Sequence, residues 1–142
     1  MKKIIVTGHG HYATGMQGAL DLLAGKNEDV YFVNFTEGDS DTTLKEKLMT
    51  IINAHAESDI LFFCDLIGGT PYKVAATLSY ENDRLEVVAG CNIGSLLDAV
   101  FTKENHTIST LAHHVVSVSK EATGVFEKRS KTDSEDLLTD GI

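Results

Sequence analysis

The chain has 142 residues, with 12 Lys and Arg against 21 Asp and Glu, a net charge of −9, one Pro, two Cys and no Trp. Its length and its 42% hydrophobic content fit one domain with one core and exclude a second catalytic domain. The acidic balance argues against binding to nucleic acid or to an anionic membrane, and no apolar run or signal peptide predicts insertion, so we expect a cytoplasmic protein.

Four short apolar runs alternate with longer segments of helical period. The runs are Lys3 to Thr7, Val30 to Phe35, Asp59 to Leu66 and Leu85 to Gly90. Their nearly continuous hydrophobicity is typical of parallel strands that are covered on both faces. The alternation predicts an α/β fold with an open, doubly wound sheet of four parallel strands flanked by helices. In such folds the functional edge lies at the carboxyl ends of the strands.

The helices between these strands have recognisable ends. The first amphipathic stripe ends at Ala24-Gly25, which is a natural C-cap, and the polar cluster at residues 39–41 opens the second helix. The third helix is expected to begin at Thr70-Pro71, with Thr70 as its N-cap and the only proline at its first position.

The C-terminal part of the chain predicts two more helices and an edge strand. Leu96 to Phe101 indicates a fourth helix, and Leu111 to Ala122 indicates a fifth. Residues 114–119 also alternate as a strand would, so helix and strand both remain open there. The segment from Gly124 to Arg129 is a candidate antiparallel edge strand.

We therefore expect one domain over residues 1–129, followed by a polar acidic tail over residues 130–142. Cys64 and Cys91 lie in apolar stretches without the spacing of metal ligands, which indicates two buried, reduced thiols. The sequence predicts no metal site and no cofactor.

A histidine stands between two glycines where the first strand passes into the first helix, in Thr7-Gly8-His9-Gly10-His11. The glycines permit a tight turn and the approach of an anion, which the free N–H groups of the helix N-terminus would favour. His11 is the competing candidate, but a partly exposed position in the first helical turn is expected for it. For a single histidine, simple filling of the turn is an equally good interpretation.

A second unusual segment follows the third strand, where Asp65 precedes Gly68-Gly69-Thr70. An aspartate that closes an apolar strand is costly to bury without a partner, and a glycine pair before a helix is a second anion cradle. Because the first and third strands of doubly wound sheets are commonly neighbours, Asp65 is expected to meet His9.

This juxtaposition predicts phosphoryl transfer through a phosphohistidine. Asp65 would accept a hydrogen bond from Nδ1 of His9 and fix its tautomer, which leaves Nε2 as the nucleophile. The predicted catalytic residues are therefore His9 and Asp65. The predicted phosphate-binding residues are Gly10, Gly68, Gly69 and Thr70, and the N–H groups of Gly69 and Thr70 together with the Thr70 hydroxyl are expected to hold the phosphoryl oxygens.

The remaining polar candidates are interpreted as surface residues. His113 and His114 would point to different faces of a helix, which disfavours joint metal ligation. His55, His106 and the pair Tyr72-Lys73 are expected at solvated helix ends.

With these segments the chain resembles the IIA component of the mannose/fructose/sorbose class of the bacterial phosphoenolpyruvate-dependent sugar phosphotransferase system. The segments that carry the resemblance are the strand ending in His9-Gly10, residues 65–71 and residues 89–93, and the resemblance covers residues 2–128. It implies that His9 accepts a phosphoryl group from the phosphocarrier protein HPr. It also implies that His9 passes this group to a histidine of a IIB partner, which phosphorylates the incoming sugar, with IIC and IID membrane components as indirect partners.

The resemblance further implies a homodimer in which a C-terminal strand is exchanged and adds antiparallel to the partner's sheet, with Gly124 to Arg129 as the candidate. The chain departs from the family pattern at Ile67, where an aromatic is frequent, at Lys73, where Asn is usual, and at Gly94, where Pro is common. His11 is also an unusual neighbour for the active histidine. None of these departures removes His9, Asp65 or Thr70.

Three alternative functions stay open. The chain is also similar to the phosphocarrier subunit of a dihydroxyacetone kinase complex. A receiver-like domain phosphorylated on Asp65 would need an acidic pair after the first strand to hold Mg²⁺, where this chain has Thr7-Gly8-His9. A plain anion-binding module is the third alternative, although the chain lacks a nucleotide-binding P-loop.

The acidic charge is unevenly distributed along the chain. Residues 1–26 carry three Lys and one Asp, a net charge of +2, whereas residues 27–58 carry seven acidic and two basic residues, a net charge of −5. This pattern predicts an acidic periphery that steers a basic partner face toward His9.

Overall fold

The computed structural model describes residues 1–129, and the predicted tail at 130–142 lies outside this range. The elements, in chain order, are β1 (Lys2–His9), α1 (Tyr12–Ala24), β2 (Val30–Phe35), α2 (Asp41–Ala54), β3 (Asp59–Cys64), α3 (Thr70–Tyr80), β4 (Leu85–Ala89), α4 (Ile93–Thr102), a short 3₁₀ turn (Lys103–Asn105) and α5 (Ile108–Glu121). None of these helices is long and apolar enough to cross a membrane.

The four strands form one parallel sheet in the order β2-β1-β3-β4, as the doubly wound prediction requires. β1 lies between β2 and β3, with His9 opposite Phe35 on one side and Thr7 opposite Cys64 on the other. This register ends the three strands at the same edge. The segments after β1 and β3 therefore emerge side by side, which is what positions the candidate site.

Helices cover both faces of the sheet and bury two apolar clusters. One face carries α1, α4 and α5 over a cluster that includes Ile4, Val6 and Phe63, and the other carries α2 and α3 over a cluster that includes Ile5 and Phe62. Successive strand residues alternate between the two clusters because side chains on a strand alternate between faces. Burial on both faces explains the nearly continuous hydrophobicity of the strands.

The structure revises several predicted boundaries. β3 ends at Cys64, two residues earlier than predicted, and α3 has Gly69 rather than Thr70 as its N-cap, with no side-chain capping bond. Thr70 is instead the first helical residue. The ambiguous segment 114–119 is helical within α5, because Leu111, Val115 and their neighbours pack against the sheet at helical spacing.

The predicted edge strand at residues 124–129 is not formed in the single chain. Residues 123–129 follow α5 without regular structure, and the side chains of Val125 and Phe126 are exposed. An exchanged strand would form only against a second chain, so its formation stays a prediction.

A charged cluster closes the opposite end of the sheet, away from the candidate site. The Nζ of the buried Lys103 lies 2.8 Å from Asp29 and 2.7 Å from Glu104, and Lys3 lies 2.7 Å from Asp29. Hydrogen bonds from Lys103 and then Lys3 lower the pKa of the Asp29 carboxyl. The two lysines are therefore buried together with carboxylate partners. This cluster accounts for charged residues that lie outside the candidate site.

Candidate active site

His9 and Asp65 meet at the carboxyl edge of the sheet. Nδ1 of His9 lies 2.8 Å from Oδ2 of Asp65, and the backbone N–H of His9 donates to the same oxygen over 2.9 Å. The His9 side chain is 46% exposed and that of Asp65 only 15% exposed. One carboxylate oxygen thus fixes both the backbone and the ring of His9, and a proton on Nδ1 leaves the lone pair of Nε2 free.

Glycines let other groups approach this pair closely. A Cβ at Gly69 would lie 2.7 Å from Cε1 of His9, and a Cβ at Gly8 would lie 2.8 Å from Cγ of Asp65. Gly68 and Gly10 have positive φ angles of 84° and 59°, which L side chains rarely adopt. Residues 8, 10, 68 and 69 therefore require glycine, each for clearance around the pair or for the turn that builds the site.

Two of the predicted phosphate-binding residues donate their N–H groups to carbonyl oxygens of the chain. The N–H of Gly10 donates to the carbonyl of Phe35 over 2.7 Å, and the N–H of Gly69 donates to the carbonyl of Leu66 over 3.2 Å. We therefore revise the expectation that the N–H of Gly69 holds a phosphoryl oxygen, and the N–H of Gly10 is not free for this role either. Gly10 instead ties the end of β1 to β2, and Gly69 gives space for the imidazole.

The free donors belong to the neighbouring residues. Neither the N–H of Gly68 nor the N–H and hydroxyl of Thr70 has a hydrogen-bond partner within residues 1–129. Thr70 opens α3, and its N–H points out of the first turn of this helix, where anions are favoured. Pro71 at the next position has no N–H to offer, so Thr70 and Tyr72 carry the free N–H groups of this first helical turn.

Two side chains of β2 take part that the sequence analysis did not single out. The ring of Phe35 packs edge-on against His9, with ring centroids 5.8 Å apart. Asn34 accepts a hydrogen bond from the Thr14 N–H over 3.1 Å and lies 3.5 Å from Nδ1 of His11. Both are the last residues of β2, and their place at the carboxyl end of a parallel strand is the sequence signal that indicates them.

His11 lies apart from the carboxylate that orients His9. It is the N-cap residue of α1, it is exposed, and its Nδ1 faces the Asn34 amide rather than an acid. The ring is therefore not held by a charged partner in the part of the chain that the structure describes.

An open groove of about 550 Å³ extends from the site between α2 and α3. Phe35 and Thr70 form its end next to His9, Val74 contributes apolar surface, and Lys45 and Lys73 stand at its rim. Lys73, which departs from the family pattern, is thus exposed beside the site. Neither His9 nor Asp65 lines the groove, which adjoins the candidate active site through Phe35 and Thr70.

Within residues 1–129, the two cysteines and the histidines at positions 55, 106 and 114 make no hydrogen bond to His9 or Asp65. Cys64 is free and buried as predicted, and burial followed by the charge of Asp65 raises the pKa of its thiol to about 12. Cys91 is free but only half-buried. His114 bonds Asp98 over 2.6 Å between α4 and α5, and His55 bonds Tyr31 at the end of α2.

No metal centre accompanies the site in the described part of the chain. Within residues 1–129, no group of three or more His, Cys, Asp and Glu side chains could hold a metal ion.

The chain is similar to components of the sugar phosphotransferase system (PTS). Residues 3–116 match the family model EIIA-man, described as the PTS system fructose IIA component. The fructose-specific EIIA component of Bacillus subtilis is 27% identical, with both chains covered completely. The sorbose-specific EIIA component of Lacticaseibacillus casei is 28% identical over 94% of this chain and 98% of that protein.

Solved structures share the fold and a similar level of identity. The phosphotransferase system component EIIA from Streptococcus agalactiae has a TM-score of 0.82 and 32% identity, over 89% of this chain and 98% of that chain. The mannose/sorbose-specific IIA subunit from Enterococcus faecalis has a TM-score of 0.84 and 26% identity, over 92% and 98% of the two chains. With its fold and the matched residues taken together, the chain belongs to the EIIA-man family of IIA components of the sugar phosphotransferase system.

Proposed function

We propose that the protein is a phosphohistidine carrier, which accepts a phosphoryl group on Nε2 of His9 and passes it on to a second protein. The observation that carries this proposal is the 2.8 Å contact between Nδ1 of His9 and Oδ2 of Asp65. The family contributes the general role in phosphoryl transfer. We propose HPr as the donor and a IIB component as the acceptor, with the transfer taking place in the cytoplasm and the sugar entering through IIC and IID components.

The transfer step requires the phosphohistidine of the donor protein and the His9–Asp65 pair of this chain. The P–N bond of the donor phosphohistidine breaks as a bond forms between phosphorus and Nε2 of His9, and the donor imidazole leaves with its electron pair. Nδ1 of His9 keeps its proton, so the phosphorylated ring carries a positive charge next to the Asp65 carboxylate. Catalysis of this kind consists of positioning and electrostatic stabilisation.

The phosphoryl oxygens would be met by the N–H groups of Gly68 and Thr70 and by the Thr70 hydroxyl. These groups lie on the loop and first helical turn that follow Asp65, and Gly69 between them adjoins the His9 ring. Gly10 and Gly69 support the site by their shape. All four predicted phosphate-binding residues therefore belong to the proposed site. Only Gly68 and Thr70 donate hydrogen bonds to the phosphoryl oxygens.

Exposed apolar side chains beside His9 favour a protein as the phosphoryl donor. Leu66 is 58% exposed and Ile67 is 71% exposed, directly after Asp65. Large apolar side chains in a solvated loop next to an active residue are typical of a docking rim, whereas a small phosphorylated metabolite would need an enclosed polar pocket. A partner that covers this rim would also exclude water from the transferred group.

The test is reconstitution with phosphoenolpyruvate, enzyme I and HPr. We expect one labelled phosphoryl group per chain, in a bond that is labile to acid and resistant to hydroxylamine. The phosphorylated protein is then offered a IIB component or a dihydroxyacetone kinase subunit. Discharge to the kinase subunit alone would move the protein to that pathway, and a hydroxylamine-sensitive label would favour a receiver-like domain phosphorylated on Asp65.

We also propose a homodimer in which residues 124–129 of each chain pair with the free β4 edge of the other. β4 ends the sheet order in the single chain, and an exposed edge of this kind is a template for a further strand. Val125 and Phe126, which are 82% and 66% exposed in the single chain, would be covered by this exchange.

Changing Phe126→Lys is expected to shift the protein toward the monomer, because it places a charge where the exchanged strand would pack. Analytical ultracentrifugation over a range of concentrations measures the effect, with a dissociation constant raised by about tenfold or more. Leu22→Lys is the matched control, because Leu22 is 90% exposed at the far end of α1. Equal dissociation of both variants, or a monomeric wild-type protein, would contradict the exchange.

A further inference from the structure

The Asp65 carboxylate that orients His9 has one oxygen without a partner. Both hydrogen bonds from His9 end on Oδ2, whereas Oδ1 is buried and meets no donor among the described residues. Buried polar atoms in native proteins nearly always have a protein or water partner. Oδ1 of Asp65 is shielded from bulk solvent. A hydrogen-bond donor on this oxygen would help the carboxylate to keep one orientation.

Tyr12 presents a second unpartnered atom on the same side of the sheet. Its hydroxyl is also buried without a partner among residues 1–129. A Cβ built on Gly8 would lie 2.4 Å from Cδ2 of Tyr12 and 2.8 Å from Cγ of Asp65, so the ring and the carboxyl group cover the same backbone position. The ring also packs on the core beneath α1 and α4. The Tyr12 ring and the Asp65 carboxyl group therefore both lie over Gly8.

The protonation states of the two groups are complementary. Burial, and then the charge of Asp65, raises the pKa of the Tyr12 phenol well above its ordinary value. The phenol therefore remains neutral at physiological pH and offers a hydrogen-bond donor. The Asp65 oxygen can only accept, because it belongs to the carboxylate that bonds the His9 N–H groups.

We propose that Tyr12 is a positioning residue that acts on His9 through Asp65, its hydroxyl donating to Oδ1 of the carboxylate across one bound water. Such a bridge gives each of the two buried oxygens a partner. It also stops the carboxylate from rotating about its Cβ–Cγ bond, so that Oδ2 stays directed at Nδ1 of His9. Tyr12 would then help to keep the proton on Nδ1 and the lone pair on Nε2.

The first test uses the unphosphorylated protein and does not depend on the proposed function. In Tyr12→Phe the ring remains over Gly8 and only the hydroxyl is lost. We expect the ratio of Nδ1–H to Nε2–H tautomers of His9, read from ¹⁵N chemical shifts in weakly alkaline solution, to fall roughly 2- to 10-fold. Tyr80→Phe is the matched control, because Tyr80 is 88% exposed at the end of α3. An unchanged ratio in Tyr12→Phe would overturn the proposal.

The second test asks whether Tyr12 acts through Asp65, and its interpretation rests on the proposed phosphohistidine function. Single-turnover transfer from phosphorylated HPr is expected to slow by a similar factor in Tyr12→Phe. In an Asp65→Asn background the same change should have no further effect. Equal slowing in both backgrounds would contradict a route through Asp65. If the wild-type protein accepted no phosphoryl group, the proposed function would fail, whereas the tautomer ratio would still decide the role of Tyr12.

Discussion

Replacing His9 by glutamine is expected to reduce phosphoryl incorporation to background, whereas His11→Gln keeps the rate within about fivefold of the wild-type value. Glutamine still offers an N–H to Asp65, but its amide nitrogen has no lone pair available for attack on phosphorus. His11 loses only a contact of 3.5 Å with the Asn34 amide. The measurement is the initial rate of label transfer from phosphorylated HPr to each variant.

Both variants should fold as the wild type does. The backbone N–H that ties residue 9 to Asp65 does not depend on the side chain, and the His9 ring is half-exposed. Exposed substitutions of this kind change the free energy of unfolding by about 0.5 kcal/mol or less, which thermal denaturation would verify. Full labelling of the His9→Gln protein would show that His9 is not the acceptor. Loss of labelling only in His11→Gln would transfer the role to His11.

Much of this fold could be predicted because its signals are local. The four apolar runs and the polar cluster at residues 39–41 report strand burial and helix capping, which depend on neighbours in the chain. The structure has strands at all four places and a capping box on Ser40. The ambiguity at residues 114–119 had a physical origin. A short amphipathic run fits both the helical and the strand period, and only its packing against the sheet selects the helix.

The candidate site was less predictable because its hydrogen bonds cross between elements. The adjacency of β1 and β3 follows from topology, and it brings His9 to Asp65. Which N–H groups remain free does not follow from topology. The carbonyls of Phe35 and Leu66 accept hydrogen bonds from the N–H groups of two predicted phosphate-binding residues, at positions 10 and 69. These contacts depend on the local path of each loop. A glycine in such a sequence predicts that another group approaches the backbone closely. It does not predict whether the glycine contributes a hydrogen bond from its N–H or only the space that a Cβ would fill.

Replacing Asp65 by alanine is expected to slow phosphoryl transfer by about 10²- to 10³-fold. The change removes the oxygen that accepts from both Nδ1 and the backbone N–H of His9, so the ring loses its orientation and its preferred tautomer. It also removes the negative charge that stabilises the phosphorylated, positively charged imidazole. We therefore expect a lower phosphorylated fraction at equilibrium as well as a lower rate, measured by rapid-quench labelling against phosphorylated HPr.

The chain offers a matched control in a second His–Asp pair. Asp98 bonds Nε2 of His114 over 2.6 Å between α4 and α5, so Asp98→Ala removes a carboxylate from an imidazole that the transfer does not use. Both variants should retain the circular dichroism of the wild type. A similar loss of rate in both would assign the effect to general electrostatics or folding, and an unchanged rate in Asp65→Ala would remove this residue from the mechanism. Because Asp65 bonds His9 and Asp98 does not, selective loss in Asp65→Ala would assign the effect on the rate to the hydrogen bonds between Asp65 and His9.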